Sequence, residues 1–368
     1  MRYGPIAAKR RTAASTTARF YADPGVGNFY LAVSPNVSSI ATHESKMGAP
    51  LAMIRLYGTG NTPPWAAADN VIAGGRIPWI SWLEGGKTNA DIANGLEDAW
   101  IHGIAAEFKA RAPWPVFWTF HHEPENDTIS SGANAAAYRG AQRRIKTTFR
   151  DDGVTNDVFV ANCFMCPFTF QPSSGRDWRT WYPDWRNITG LGTAANPDPN
   201  DFWKHGDANS VVDVFGIDFY HDWDLKALPG DTSSSFNNRT ATSVWNTYLG
   251  PRTSFLNQPY AIGEWGTAAD QDAPKDPNGD GTWTLAEYDA SYAAGNITYF
   301  PAITDSWIDD YFTTMTAHGC VAFAYWDSFT GAANTVVNNP LSIADKLETR
   351  WKRLGVWGNK SQAKQWTG

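Results

Sequence analysis

Two glutamates stand where this chain could do chemistry. Glu123 closes the run Val116-Phe117-Trp118-Thr119-Phe120-His121-His122-Glu123, and Glu264 closes Tyr260-Ala261-Ile262-Gly263-Glu264. Each run reads as a strand, because a strand buried on both faces is almost continuously apolar. A carboxylate at the last position of such a strand emerges at the rim of the fold rather than inside it. Two rim carboxylates can work as a pair, one protonating a leaving oxygen while the other attacks carbon or activates water. Cleavage of a glycosidic bond needs that pair.

The elements that would position them recur along the chain. Apolar strand candidates run from Asn28 to Val33, Ala52 to Tyr57, Ile77 to Trp82, Val116 to His122, Val158 to Phe164, Val211 to Tyr220, Tyr260 to Glu264 and Val321 to Trp326. Helical stripes lie between several of them. Ile92, Leu96, Trp100, Ile104 and Phe108 repeat every four residues, and Thr88-x-x-Asp91 has the form of a helix start. Shorter stripes pass through Tyr138, Ala141, Ile145 and Phe149, and through Ile308, Tyr311, Phe312 and Met315. Strands alternating with helices predict a parallel sheet, and eight of them predict a (β/α)8 TIM barrel with its active site at the carboxyl ends of the strands. Glu123 then ends strand four and Glu264 strand seven. We expect an N-terminal extension over residues 1–27 and one catalytic barrel over 28–368. The stretch from Gln171 to Lys204 reads either as a loop beside the cleft or as a surface excursion packed by Trp178, Trp181, Tyr182 and Trp185.

Composition narrows the partners. The chain of 368 residues is 42% hydrophobic and 18% charged, enough for a sizeable core. A formal net charge of -7 leaves no basic field for nucleic acid, and no run approaches the roughly 18 apolar residues of a membrane span. A polysaccharide substrate and a monomer are expected. The 19 tryptophans exceed what a core of this size would use, and indole faces stack well on sugar rings. Trp82 and Trp326 end strands three and eight and Trp265 follows strand seven, so either a sugar platform or core packing fits them. Arg55 on strand two can hold the nucleophile in its ionised form or make a structural ion pair. The three cysteines include Cys163-x-x-Cys166, which lacks a second pair to complete a zinc site and reads as inert or locally paired thiols. The basic opening segment from Met1 to Arg19 has no apolar core of a secretion signal.

Taken together, Ile77-Pro78-Trp79-Ile80-Ser81-Trp82, Phe120-His121-His122-Glu123, Trp181-Tyr182-Pro183, Val211 to Tyr220 and Ile262-Gly263-Glu264 resemble the family-26 glycoside hydrolases. The resemblance covers roughly residues 28 to 330. It implies a (β/α)8 barrel, an extracellular setting, and retaining endo-hydrolysis of β-mannan or a related β-glycan or xylan. It also implies Glu123 as acid/base, Glu264 as nucleophile, and substrate contacts by His122 and Tyr220. The chain departs from the family pattern at Pro124-Glu125-Asn126-Asp127, where mannanases commonly have Met-Asn-Gly, and in the long insertion before strand six. Both departures bear on which glycan is gripped. A non-catalytic carbohydrate-binding or surface-assembly protein on the same barrel is the rival reading, and carboxyl groups more than about 10 Å apart would favour it.

One motif is independent of the glutamates. Asp276-Pro277-Asn278-Gly279-Asp280-Gly281-Thr282-Trp283-Thr284-Leu285-Ala286-Glu287 has the calcium-loop spacing, with oxygen ligands expected from Asp276, Asn278, Asp280, the Thr282 carbonyl and Glu287. Structural Ca2+ is the only cofactor expected, the alternative being an Asp/Asn/Gly-rich turn that needs no metal. If it binds, added calcium should raise the melting temperature and a chelator should lower it; a melting curve indifferent to both would remove the site.

Overall fold

The computed structural model describes residues 19–35, 40–58, 62–124, 133–165, 177–186, 198–221, 242, 245–246, 258–267, 301–327 and 354–367. Eight parallel strands close into a barrel in chain order: β1 Tyr30–Pro35, β2 Met53–Gly58, β3 Ile77–Trp82, β4 Val116–Phe120, β5 Asp157–Met165, β6 Val214–His221, β7 Tyr260–Thr267 and β8 Cys320–Asp327. The circle shuts where β1 pairs with β8, Tyr30 opposite Ala322 through to Pro35 opposite Asp327. The fold is a (β/α)8 barrel.

Alternation along each strand divides the core into an inner and an outer layer. Tyr30, Ala32, Met53, Ile77, Trp79, Phe117, Val158, Val160, Val214, Ala261 and Ala324 pack together in the barrel interior, with Phe20 among them. Phe20 meets Phe117 edge to face at 6.0 Å. The opposite parity, including Leu31, Ile54, Ile80, Trp118, Phe159, Phe215, Ile262 and Phe323, packs against the helices. Trp118 stacks on Phe159 at 4.1 Å across that outer layer. Such a pair is worth about 0.5–1.5 kcal/mol beyond its buried area.

The helix after β3 is two helices, Asn89–Ala93 and Asp98–Ala110, where a four-residue repeat had predicted one. Thr88 caps the first, accepting from the Asp91 N–H at 3.0 Å as its sequence pattern predicts. The break falls at Gly95, whose φ of 80° is left-handed backbone that glycine adopts without strain. Leu96 is consequently turned out and 73% exposed, while Ile92, Ile101, Ile104 and Phe108 stay buried. The other two stripes lie on helices Ala133–Asp151 and Pro301–Ala317. In the Gln171 to Lys204 stretch, the described part packs onto the barrel wall: Trp178, Trp181 and Tyr182 are buried, and Trp178 stacks on Phe202 at 5.2 Å. No helix among the described residues is long and apolar enough to cross a membrane. Cys163 and Cys320 are buried free thiols.

Candidate active site

The chain leaves β4 under strain. Regular strand ends at Phe120, two residues earlier than the apolar run suggests, because His121 and Glu123 take φ of 48° and 49°. Left-handed backbone costs about 1 kcal/mol or more for each non-glycine residue and persists only where the surroundings fix it. Here the fixing contacts are visible. The His121 N–H donates to the Trp82 carbonyl at 2.9 Å, and the Glu123 N–H donates to the Asn162 carbonyl at 2.9 Å. The Tyr138 hydroxyl reaches the carbonyls of Phe120 at 2.9 Å and His121 at 2.8 Å. Asn162 and Cys163 on the neighbouring strand are left-handed too, at 68° and 44°, and there the β5–β6 register slips. Asn162 is tied down by donating to the Trp181 carbonyl at 2.7 Å and accepting from Gln142 at 2.9 Å.

His121 also pairs with Glu84, Nδ1 to Oε1 at 2.8 Å. Burial pushes the Glu84 carboxyl up, but the hydrogen bond and charge of His121, its own backbone N–H and Asn89 outweigh this and hold it below the ordinary range. A depressed carboxylate stabilises the fold above its unfolded pKa of about 4.3, and that stability is lost as pH falls through the lower folded value. Glu84→Gln should therefore cost about 1 kcal/mol at neutral pH. The gap to the parent should close below about pH 4 in melting curves taken across pH; a constant gap would refute the linkage.

Glu264 is reached through two further irregularities. The β6–β7 register shifts between Ile217 and Asp218, and the β7–β8 register shifts between Ile262 and Trp265. Glu264 Oε1 accepts from the Tyr57 hydroxyl at 2.7 Å, with His122 Nε2 at 3.8 Å and Arg55 Nη2 at 3.9 Å. Arg55 is buried inside the barrel, its guanidinium carbon 4.6 Å from the Trp79 ring centre. Burial opposes its charge, yet the acidic groups around it, Asp218 and Glu264 among them, raise its pKa well above the usual value. Burial likewise pushes the Tyr57 phenol well up, so it stays a donor.

A third carboxyl completes the group. Asp218 of β6 is fully buried, and neither oxygen has a hydrogen-bond partner among the described residues. Burial, with the neighbouring carboxylates of Glu264 and Glu123 adding to it and Arg55 opposing it, drives its pKa well up. Carboxylate oxygens of Glu123, Asp218 and Glu264 lie within 4.8 Å of one another. That spacing would also suit a cation, but Arg55 already sets a positive charge against Glu264 and works against a second one.

The other residues expected at the site divide. His122 is at the mouth, its ring 5.4 Å from Tyr57. The backbone of Tyr220 lies opposite Gly266 near the end of β6, and that of Trp326 opposite Ser34 near the end of β8; their side chains lie outside the described residues. Trp82 and Trp265 depart from the sugar-platform expectation. Trp82 has the parity of Ile80, so it faces the helices and packs on Trp118 and Phe120. Trp265 is fully buried, stacked on Tyr311 at 5.5 Å. The expected calcium ligands Asp276, Asn278, Asp280, Thr282 and Glu287 lie outside the described residues, as does Cys166. Asp218, Tyr57 and Cys163 are members of the site that the sequence reading did not single out. Asp218 had a signal, being the one charged residue in the run Val214 to Tyr220.

Compared with known proteins, the sequence matches no family profile and no curated protein. Its structure is similar to bacterial glycanases. An endo-β-mannanase/endo-β-glucanase of Prevotella bryantii aligns with a TM-score of 0.52 at 12% identity, over 92% of this chain and 44% of that one. This chain thus spans less than half the length of the Prevotella protein. A Cellulomonas fimi endo-β-1,4-mannanase gives 0.52 at 12% identity over 93% and 73%, respectively. A broad-specificity endoglucanase of Clostridium acetobutylicum, from glycoside hydrolase family 5, gives 0.53 at 11% over 89% and 96%. At these identities the likeness is one of fold, the (β/α)8 barrel that this chain shares with those proteins.

Proposed function

We propose that the protein is a retaining endo-glycosidase acting on β-linked polysaccharide, with β-mannan or a related β-glycan or xylan as substrate. The observation that carries this reading is the 4.8 Å grouping of the Glu123 and Glu264 carboxylates. Retaining glycosidases hold their carboxyl groups about 5–5.5 Å apart, whereas inverting enzymes leave room for a water at about 6.5–9.5 Å.

The surroundings support a division of roles. Tyr57 donates to Glu264 and the Arg55 charge lies beside it, an environment suited to an attacking carboxylate. Glu264 then attacks the anomeric carbon while Glu123 gives its proton to the departing glycosidic oxygen. Glu123 next takes a proton from water, which releases the sugar from Glu264 with its configuration retained. Asp218, without a hydrogen-bond partner among the described residues, suits a hydrogen bond to a sugar hydroxyl. His122 at the mouth suits another.

The test is a panel of mannan, β-1,3-xylan and mixed-linkage glucan, with product sizes analysed and the anomeric form of the first product followed by NMR. Internal cleavage giving the β-anomer first is the expected result. An α-anomer first would overturn retention. Binding without cleavage of any member would favour the non-catalytic carbohydrate-binding reading.

A further inference from the structure

We infer that Cys163 is a positioning residue whose sulfur holds the Arg55 guanidinium in place beneath Glu264. The inference deepens the glycosidase reading and rests on it for its catalytic meaning, while its geometry stands alone. Arg55 Nη1 donates to Cys163 Sγ at 3.2 Å. Among the described residues, Arg55 Nε and Nη2 have no hydrogen-bond acceptor, although the side chain is fully buried. Nη2 faces Glu264 at 3.9 Å, beyond hydrogen-bonding reach. The sulfur is therefore the directional contact for a cation whose other neighbours include the Glu264 carboxylate and the Trp79 and Tyr57 rings, at 3.9, 4.6 and 5.2 Å.

The space around the sulfur is built for it. A β-carbon on Gly216 would lie 2.8 Å from Cys163 Sγ, and one on Gly263 would lie 2.7 Å from it. The neighbouring strand β6 and the next strand, β7, thus both carry glycine where the sulfur sits. Thr119 lies 3.7 Å from the sulfur and its oxygen already accepts from Trp79 Nε1 at 3.0 Å, which leaves its hydroxyl proton directed elsewhere, the thiol included. Burial pushes the thiol pKa up, so the group is an uncharged acceptor rather than a second anion competing for Arg55. Neutrality matters chemically: the guanidinium charge remains available to Glu264.

Serine keeps the acceptor, and alanine removes it without placing a β-branched side chain on the left-handed backbone of Cys163. Cys163→Ala is expected to lower kcat about 10- to 100-fold with KM nearly unchanged, because the displaced charge acts on the reacting carboxylate rather than on substrate binding. Cys163→Ser should restore kcat to within a few-fold of the parent. A Cys163→Ala enzyme with parental kcat, or a serine variant as impaired as the alanine one, would overturn the inference. A second measurement needs neither a Cys163 variant nor substrate. Arginine side-chain NMR of the parent protein, assigned by the signals lost in Arg55→Lys, should show resolved, slowly exchanging Nη protons for Arg55; rotationally averaged signals would overturn the inference even if the protein cuts glycans. Resolved signals in a protein that cuts none of the panel would support the positioning and reject the glycosidase reading, so the two failures are separable.

Discussion

Glu264→Ala and Glu123→Ala should each fold as the parent does and lose glycan hydrolysis by roughly 10³-fold or more, the size of loss seen when a group acting only in the transition state is removed. Stability should separate the two variants. Glu264→Ala removes the carboxylate that faces the buried Arg55 cation at 3.9 Å and should melt below the parent. Glu123→Ala leaves that pair in place and should melt close to the parent. The roles can be told apart with azide and an aryl β-glycoside, whose leaving group needs no acid. In Glu264→Ala, azide takes the vacated side of the ring and should give the α-glycosyl azide. In Glu123→Ala, Glu264 still forms the covalent intermediate, and azide should intercept it from the opposite face to give the β-glycosyl azide. Full activity in either variant removes that residue from catalysis, and exchanged azide products would reverse the assignment.

The fold was legible because the parallel barrel leaves a one-dimensional trace. Strands covered on both faces are continuous apolar runs, and β3 occupies Ile77–Trp82 residue for residue as its run suggests. Boundaries failed where a backbone detail intervened. Gly95 interrupts a stripe whose spacing alone would continue, and the left-handed His121 ends β4 early. The two strand-end glutamates were visible singly. Their company was not, since Tyr57, Cys163 and Asp218 come from β2, β5 and β6, and only closure of the barrel brings them to Glu264. The tryptophans show the limit of strand-end reasoning. Trp79 points into the barrel, so Trp82, three residues on, must point out toward the helices. A strand end supplies the rim, but parity decides which side of the wall a ring occupies.

Gly263→Ala, a change of one methyl group, should come close to the catalytic substitutions in its effect. A β-carbon there would collide with Arg55 Nη1 and lie 2.7 Å from both Asp218 Oδ1 and Cys163 Sγ. None of these can retreat freely, because all three side chains are buried within the barrel. Overpacking of this kind typically costs about 1–3 kcal/mol. The functional loss should be larger than that figure suggests, since the added methyl pushes Arg55 away and shifts the backbone carrying Glu264. A displacement of about 1 Å at a reacting group can reduce rate about 100-fold. Gly103→Ala provides the contrast. It sits on helix Asp98–Ala110, nothing lies within 4 Å of its added carbon, and its φ is not left-handed. That change should stabilise the fold by about 0.5–1 kcal/mol and leave hydrolysis alone. Melting curves and kcat for the two variants decide the matter: if Gly263→Ala melts and turns over like the parent, Arg55 and Cys163 are not packed against the nucleophile strand as described here.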